Sequence, residues 1–245
     1  MTKDAERQYL ANTGESGRIH SLQKPFSDPD SWSLLASMGF IMEQLPAPPA
    51  RILDLGCGGG LTSKFLAMRG YSVVGQDIAT DMVALAEDNR DRNPDPLDLS
   101  FVLSDFETLP FVEEFDAAIF YDCLHHCDDE VAAIGSAYGA LKPGGILITH
   151  EPGEGHATMP HSIEAMRLYV VNERDMPPHL IMKAGRKVGF REFHVFPMPD
   201  DLRKIFYMSR RAPLNVKRAI YRAYKAISMA LRPDLRRSAI VVMRK

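Results

Sequence analysis

The stretch Arg51-Ile-Leu-Asp-Leu-Gly-Cys-Gly-Gly-Gly60 decides the fold of this chain. Its first half, Arg51–Leu55, is a short apolar run typical of a buried strand, and Leu61–Met68 behind it has a helical pattern that stops at Gly70. Glycines between a strand and a helix let the backbone turn sharply and approach a ligand closely. A tight turn without any ligand explains the same loop, so the loop needs support from elsewhere in the chain.

Strand and helix patterns alternate around this loop at a regular rhythm. The sequence predicts further strands at Tyr71–Gly75, Leu99–Leu103, Phe115–Phe120, Ile146–Thr149, Phe190–Phe196 and Ser238–Met243. It predicts helices at 31–45, Asp81–Asn89 with Thr80 as N-cap, Asp129–Leu141 and His179–Val188. Buried β-branched strands separated by helices indicate an α/β fold with a doubly wound, mostly parallel sheet and helices on both faces. Ligands of such sheets bind at the carboxyl ends of the strands.

Composition places the chain among ordinary globular domains. Of 245 residues, 45% are hydrophobic and 25% are charged, which suits one α/β domain with a full core. We find no apolar run long enough to span a membrane and no secretory signal at the N-terminus. The three cysteines form no framework, so we expect a reduced, cytoplasmic protein. The polar residues 1–30 are predicted to be a loop-rich arm.

The net charge of −3 hides a strong asymmetry between two parts of the chain. From residue 200 onward there are thirteen basic and three acidic residues, so the body before it is acidic. An acidic body argues against a nucleic-acid-binding domain. Leu214–Leu231 is predicted to be an amphipathic basic helix, whose apolar stripe is Val216, Ile220, Tyr224, Ile227 and Leu231. We expect the stripe to pack on its own domain, with contact to an anionic membrane through 210–237, or to a phosphate-bearing acceptor, as alternatives.

Acidic residues stand at the tips of the first three predicted strands. Asp54 precedes the glycine loop and suits a ligand with an ammonium group, while Asp77 can accept both hydroxyls of a ribose. Asp105 can accept from an exocyclic amine, with Phe106 stacking on a base. The alternatives are a solvated loop aspartate at 77, and an aspartate N-cap beside a core phenylalanine at 105 and 106.

These residues together resemble the class I S-adenosylmethionine-dependent methyltransferases. The resemblance covers about Arg51 to Glu151, through the motifs DLGCGGG, VVGQDIA, the SDF strand tip, FDAAIFYDCLHH and LKPGGILITHEP. It implies a seven-stranded sheet whose last strand is antiparallel, and S-adenosyl-L-methionine as the cofactor. It places the methionine part over the loop Gly56–Gly60, the ribose on Asp77, and the adenine beside Ile78, Asp105 and Phe106. Asp122, near the tip of the fourth strand, is predicted to touch the methionine ammonium, and the full predicted cofactor set is Asp54, Gly56, Cys57, Gly58, Asp77, Ile78, Asp105, Phe106 and Asp122.

The segment after the fourth strand carries the candidate catalytic residues. Methyl transfer from a sulfonium demands in-line approach, and a hydroxyl acceptor usually also needs a base. Histidine titrates near neutral pH, so His125 and His126 are the candidates, with His126 slightly preferred. The alternative is that one of the two histidines only caps or fills the turn. A further alternative is a metal site among candidate ligands that are close in sequence, namely His125, His126, Asp128 and Asp129, with His150, Glu151, Glu154 and His156 after the fifth strand. No two-histidine helical spacing or paired cysteine motif is present, so no metal is expected.

The predicted organisation has four parts. Residues 1–49 form an arm and helix on the acceptor side, 50–199 the cofactor-binding core, 200–237 a basic helical insertion, and 238–245 the final strand of the sheet. The predicted function is methylation of a small molecule or glycan, with a hydroxyl as the favoured acceptor group. No nucleic-acid partner is expected.

Two other functions compete with this prediction. A nicotinamide oxidoreductase would need a third loop glycine at the position held by Leu61. A non-catalytic module that binds S-adenosylmethionine would keep the cofactor motifs without the chemistry. The acceptor and the oligomeric state are not determined by the sequence.

Overall fold

The computed structural model describes residues 2–207, 215–232 and 238–245. Seven strands in these residues form one sheet in the order β3-β2-β1-β4-β5-β7-β6. They are β1 (Arg51–Leu55), β2 (Ser72–Asp77), β3 (Leu99–Leu103), β4 (Phe115–Tyr121), β5 (Leu141–Glu151), β6 (Glu192–Phe196) and β7 (Ala239–Arg244). Strands β1 to β5 pair in parallel, while β7 runs antiparallel to both β5 and β6. The predicted seven-stranded sheet with an antiparallel last strand is confirmed.

The helices of the described residues have these bounds: α1 (Thr2–Glu6), α2 (Tyr9–Gln23), α3 (Ser31–Gln44), α4 (Leu61–Met68), α5 (Thr80–Asp91), α6 (Glu130–Ala140), α7 (Pro160–Tyr169), α8 (Pro178–Val188), α9 (Pro199–Leu202) and α10 (Val216–Leu231). Two 3₁₀ turns, Leu124–His126 and His156–Thr158, and one π-helical turn, Arg203–Tyr207, complete the set.

The sheet is buried on both faces, which explains the continuous apolar runs of its central strands. Alternate residues of β1 show this, because Leu53 and Leu55 pack with α6 and α8 while Ile52 packs with α3 and α4. Both groups of side chains are fully buried. Strand order reverses between β1 and β4, so the carboxyl ends of these strands flank the crevice where such sheets bind ligands.

The N-terminal arm differs from its prediction. Residues 1–30 were expected to be rich in loops, yet they contain α1 and α2. Helix α2 bends at Gly14, where φ is 66°, and buries Leu10 against Met82 and Leu85 of α5. The sequence hid this helix because its polar residues leave almost no apolar stripe, so tertiary contact with α5 rather than periodicity holds it.

Two further local predictions are wrong. Thr80 is the first residue of α5 rather than its N-cap, which is Ala79 in extended conformation. The stripe of α10 does not pack on its own domain, because Val216, Ile220, Tyr224, Ile227 and Leu231 are between 58% and 73% exposed. The ends of the predicted segment 210–237, and Leu214, lie outside the described residues. Among the described helices, none has the length and apolar character needed to cross a bilayer.

Candidate active site

One cavity of about 410 Å³ opens at the carboxyl ends of the central strands. It gathers side chains from the loops after β1, β2, β3 and β4, together with the N-terminal helices and the segment before α8. The predicted site residues that line it are Gly56, Gly58, Asp77, Ile78, Asp105, Phe106, Asp122, His125 and His126. The structure therefore brings together, in one crevice, residues that are as far as 70 positions apart in the sequence.

The glycine loop after β1 forms one wall of this cavity. Gly56 and Gly58 have φ values of 62° and 52°, in the left-handed region that favours glycine. A Cβ atom on Gly58 would meet no atom within 4 Å, since it would point into open space. At Gly56 it would come within 2.8 Å of Cβ of Cys123. The loop thus offers a bare backbone surface to a ligand and packs tightly on the loop after β4.

Asp77 ends β2 directly beside this loop. Its two carboxylate oxygens accept backbone hydrogen bonds from Gly58, at 2.8 Å, and from Ala79, at 2.9 Å. Burial raises the pKa of this carboxyl group above its ordinary value. Each oxygen keeps a further lone pair, so the fixed carboxylate can accept hydroxyl hydrogens from a ligand in the cavity.

Asp54 and Cys57 do not line the cavity, although both were predicted to bind the cofactor. Asp54 is fully buried at the end of β1, where Oδ2 accepts a hydrogen bond of 2.5 Å from Ser63 of α4. Burial raises its pKa to about 6. Asp54 therefore links β1 to α4 behind the glycine loop and has a structural role.

Helix α1 closes the cavity at the tip of β3. Lys3 Nζ lies 2.6 Å from Asp105 Oδ2 and 3.0 Å from Glu107 Oε2. Phe106 faces the same part of the cavity and packs edge-on against Phe120 of the core, with 5.4 Å between ring centroids. Asp105 and Phe106 therefore both line the cavity and make structural contacts. The sequence had offered ligand contact and a structural role as alternatives for these two residues.

Glu151 organises the loop that carries the two adjacent histidines. Its fully buried carboxylate lies at the end of β5 and accepts the amide hydrogens of Cys123, at 3.1 Å, Leu124, at 2.8 Å, and His125, at 3.3 Å. It also lies 2.8 Å from Nδ1 of the His125 ring. With Nδ1 donating to Glu151, Nε2 of His125 is left as an acceptor on the cavity side.

His126 lies among groups that favour its protonated form. Nδ1 is 2.6 Å from the carbonyl oxygen of Asn172 and 3.4 Å from Glu6 Oε1 of α1. Burial lowers the pKa of this imidazole, but the nearby carboxylates of Glu6 and Glu173 outweigh it and raise the pKa to about 9. His126 is therefore mostly a cation at neutral pH.

Two more histidines extend the cluster from the segment after β5. His156 Nε2 lies 2.6 Å from Glu173 Oε2, and its ring centroid is 4.9 Å from that of His125 and 5.6 Å from that of His161. His125, His126 and Glu173 each have one potential ligand atom within 4.8 Å of the other two. These three side chains therefore have the spacing needed to hold a metal ion. The expectation of no metal therefore needs a direct test.

Asp122 stands between the two ends of the cavity. Its φ of 56° is unusual for a residue other than glycine, and its amide donates to the carbonyl of His150. Loss of contact with water in the cavity wall raises the pKa of its carboxyl group. The charge interactions with His125, His150 and His126 together outweigh this effect, so the pKa lies below its ordinary value. A carboxylate that stays ionised at this point suits the ammonium group predicted to lie there.

Several lining residues were not singled out from the sequence, namely Lys3, Glu6, Tyr9, Glu107 and Glu173. Lys3, Glu6 and Tyr9 reach the cavity only because α1 and α2 fold across it, and nothing in their local sequence signals this. Glu173 is 47 positions from His126 and follows no recognisable motif. Glu151 follows a strand that was predicted, so its position at a strand tip was the available signal.

Known proteins resemble this chain in sequence and in fold. Residues 53–149 match the family described as "Methyltransferase domain". A ubiquinone biosynthesis O-methyltransferase of Actinobacillus pleuropneumoniae serotype 5b (strain L20) is 28% identical over 156 residues, which are 62% of this chain and 61% of the relative. The chain thus spans about three fifths of the length of this curated relative.

Two solved structures show the same fold. A phosphoethanolamine N-methyltransferase 2 of Haemonchus contortus, in complex with S-adenosyl-L-methionine, has a TM-score of 0.65 and 20% identity, covering 100% of this chain and 59% of the other. An S-adenosylmethionine-dependent methyltransferase of Mesorhizobium loti has a TM-score of 0.59 and 21% identity, covering 87% and 97%. These structures confirm the predicted fold, and the match of residues 53–149 agrees with the resemblance predicted from the sequence.

Proposed function

We propose that this chain, which carries a class I S-adenosylmethionine-dependent methyltransferase domain, transfers a methyl group to a hydroxyl of a small molecule or glycan. The observation that carries the proposal is the single cavity whose two ends differ in chemistry. One end has the bare glycine loop, Asp77 and Asp105, and the other has the histidines and Glu173. A cofactor and an acceptor that share this cavity would meet beside Asp122.

The cofactor end fits S-adenosylmethionine. The open space at Gly58 leaves room for the ligand, and the fixed oxygens of Asp77 suit the two hydroxyls of a ribose. Ile78, Asp105 and Phe106 provide the apolar and polar contacts that an adenine needs. When bound, this cofactor supplies an activated methyl group on a sulfonium. Asp54 and Cys57 would support the site from behind the loop rather than touch the ligand.

An oxygen acceptor is supported by two observations. The curated relative in Actinobacillus is named an O-methyltransferase. The acceptor end of the cavity also holds several imidazoles, which can accept a hydroxyl proton, and Glu173 and Glu6, which can accept hydrogen bonds from further hydroxyls. A polyhydroxylated acceptor such as a sugar suits this density of hydrogen-bonding groups.

His125 and His126 are the proposed catalytic residues. Glu151 fixes the ring of His125, and Asn172 with Glu6 fixes the ring of His126, so both imidazoles hold one orientation toward the cavity. The raised pKa of His126, about 9, makes its neutral form a strong base. Its neutral form accepts the proton of the acceptor hydroxyl, so the reaction should accelerate as the pH rises toward 9.

The direct test incubates the purified chain with S-adenosylmethionine that carries a labelled methyl group and a panel of acceptors. The panel contains phenols, sugars, glycans and amines of matched size. Label transferred to a hydroxylated compound, with S-adenosylhomocysteine formed in equal amount, supports the proposal. Transfer only to amines contradicts the oxygen assignment. Cofactor binding without transfer to any acceptor in cell extract would favour a non-catalytic module.

A further inference from the structure

Helix α10 exposes its apolar face instead of burying it. The stripe Val216, Ile220, Tyr224, Ile227 and Leu231 follows one side of the helix at about 100° per residue, and its members are between 58% and 73% exposed. No residue of α10 is buried. A single helix of this length is marginal in water, so an uncovered stripe of this size calls for an apolar surface outside the described residues.

The opposite side of α10 attaches it to the protein. Arg222 Nε donates a hydrogen bond of 2.6 Å to the carbonyl oxygen of Ile205, which is itself buried. Lys225 and Met229, on the same side as Arg222, are half-buried. The body therefore holds the polar side of the helix and turns the apolar stripe outward.

The positive charge of α10 indicates which kind of partner covers the stripe. Between Asn215 and Arg232 there are five basic residues and no acidic one. A second copy of this chain would bring two equally basic helices together, and like charges at close range repel. A lipid surface with anionic headgroups attracts the same helix, because the exposed Lys217 and Arg218 can reach the headgroups while the stripe enters the apolar boundary.

The insertion leaves the sheet at the edge where the cavity opens. Strand β6 is antiparallel to β7, and β7 is antiparallel to β5, so β6 runs parallel to β5. Its last residue, Phe196, therefore lies at the same edge as Glu151. Phe206 and Tyr207, at the end of the π-helical turn, are 57% and 67% exposed and add aromatic surface of the kind found at membrane interfaces.

We propose that α10 binds an anionic lipid bilayer by lying flat on it, with the stripe in the interface and the exposed Lys217 and Arg218 at the headgroups. Attachment through α10 brings the edge of the sheet that carries the cavity toward the bilayer. The proposal goes beyond methyl transfer and does not depend on it, since its test needs no activity.

The test is co-sedimentation of the whole chain with vesicles of phosphatidylglycerol and phosphatidylcholine, compared with vesicles of phosphatidylcholine alone. We expect binding to the anionic vesicles at low salt, and weaker binding at about 0.5 M salt, where charges are screened within a few ångström. Ile220→Asp should abolish sedimentation while leaving the melting temperature unchanged. Lys217→Glu combined with Arg218→Glu should weaken binding at least about tenfold, because each base near an anionic surface contributes.

Met68→Asp is the matched control. Met68 is also apolar and 59% exposed, but it ends α4, near the start of β2 and away from the cavity edge. This variant should bind vesicles like the unaltered chain. Absence of sedimentation at low salt overturns the proposal. So does a melting temperature lowered by Ile220→Asp, which would mean that the stripe is part of a core, or a dimer that Ile220→Asp dissociates.

Discussion

Glu151 and His125 hold each other in place at the carboxyl edge of the sheet. Oε2 of the glutamate lies 2.8 Å from Nδ1 of the imidazole, and the two side chains are 0% and 4% exposed. Because the same carboxylate accepts three backbone amides of the histidine loop, one buried side chain fixes both the loop and the ring that faces the cavity.

Glu151→Gln should destabilise the fold and loosen the histidine loop. Glutamine replaces one carboxylate oxygen by an NH2 group, which cannot accept the hydrogen bonds that the backbone amides of the loop donate. Leaving buried amides unpaired in this way costs about 2–4 kcal/mol in all. For a chain of this size, that loss lowers the melting temperature by about 5–15 °C. Glu154→Gln, at an exposed position of the following loop, is the control and should melt like the unaltered chain. Equal melting temperatures for both variants would contradict the role of Glu151.

His126 should make the stability of the protein depend on pH. Its pKa is about 9 in the fold, against about 6.5 in an unfolded chain, because of Glu6 and Glu173 despite burial. The folded state therefore binds the proton more tightly, so the stabilisation is complete below pH 6.5 and is lost as the pH rises through 9. The measurement compares the free energy of unfolding of the unaltered chain and His126→Gln between pH 6 and 9.5.

The Glu6→Gln variant separates this electrostatic effect from other titrations. It removes a carboxylate that raises the pKa of His126, so the His126 resonance in an NMR titration should shift its midpoint downward. Glu15→Gln alters an exposed glutamate of α2 and should leave the midpoint near 9. If Glu6→Gln leaves it there too, the contact between α1 and the histidine loop does not exist in solution.

Removal of either histidine should slow methyl transfer more than it weakens cofactor binding. His125→Ala and His126→Ala should each lower turnover about 10²–10⁴-fold, the usual size of a lost general base or its orienting partner. His179→Ala, exposed at the start of α8, should keep full turnover. Unchanged rates in both single variants and the double variant would leave orientation as the sole source of catalysis and would reopen an amine acceptor.

A chelator should not change the rate. The pKa of His126 is raised to about 9, so its ring is mostly protonated and offers a metal ion no lone pair, and Oε2 of Glu173 lies 2.6 Å from Nε2 of His156. Turnover measured with and without EDTA should therefore agree. Loss of activity that magnesium, manganese or zinc restores would show that His125, His126 and Glu173 hold an ion instead, and that the ion rather than His126 activates the acceptor.

The sequence predicted the sheet well because buried parallel strands are continuous apolar runs. The bounds of β1, β3 and α4 agree with the structure. Strand β5 begins five residues earlier than expected, since Leu141 pairs with Phe115 across a register shift that no local pattern announces. Helices held by tertiary contact were harder to predict: α2 has no apolar stripe, and periodicity defined the stripe of α10 without telling which side faces the protein.

The cavity residues at strand tips were predictable from the sequence, and those contributed by distant segments were not. Residues such as Asp77 and Asp105 follow strands directly, and strand tips of a parallel sheet meet at one edge. Asp54 also follows this rule, yet its side chain points toward α4 rather than the cavity, which depends on the turn geometry. Glu173 and Glu6 come from segments whose approach to His126 depends on packing across the whole domain.

The most direct test of the account is calorimetry with S-adenosylhomocysteine. The unaltered chain should bind it and should bind NAD more weakly or not at all. Gly58→Val fills the open space at the loop, and Asp77→Asn removes a charge from a hydrogen bond worth about 1.5–3 kcal/mol, so each should weaken binding at least about tenfold. Asp98→Asn, at an exposed position before β3, should bind normally. Unaltered affinity in both site variants, or tighter binding of NAD, would contradict the proposed function.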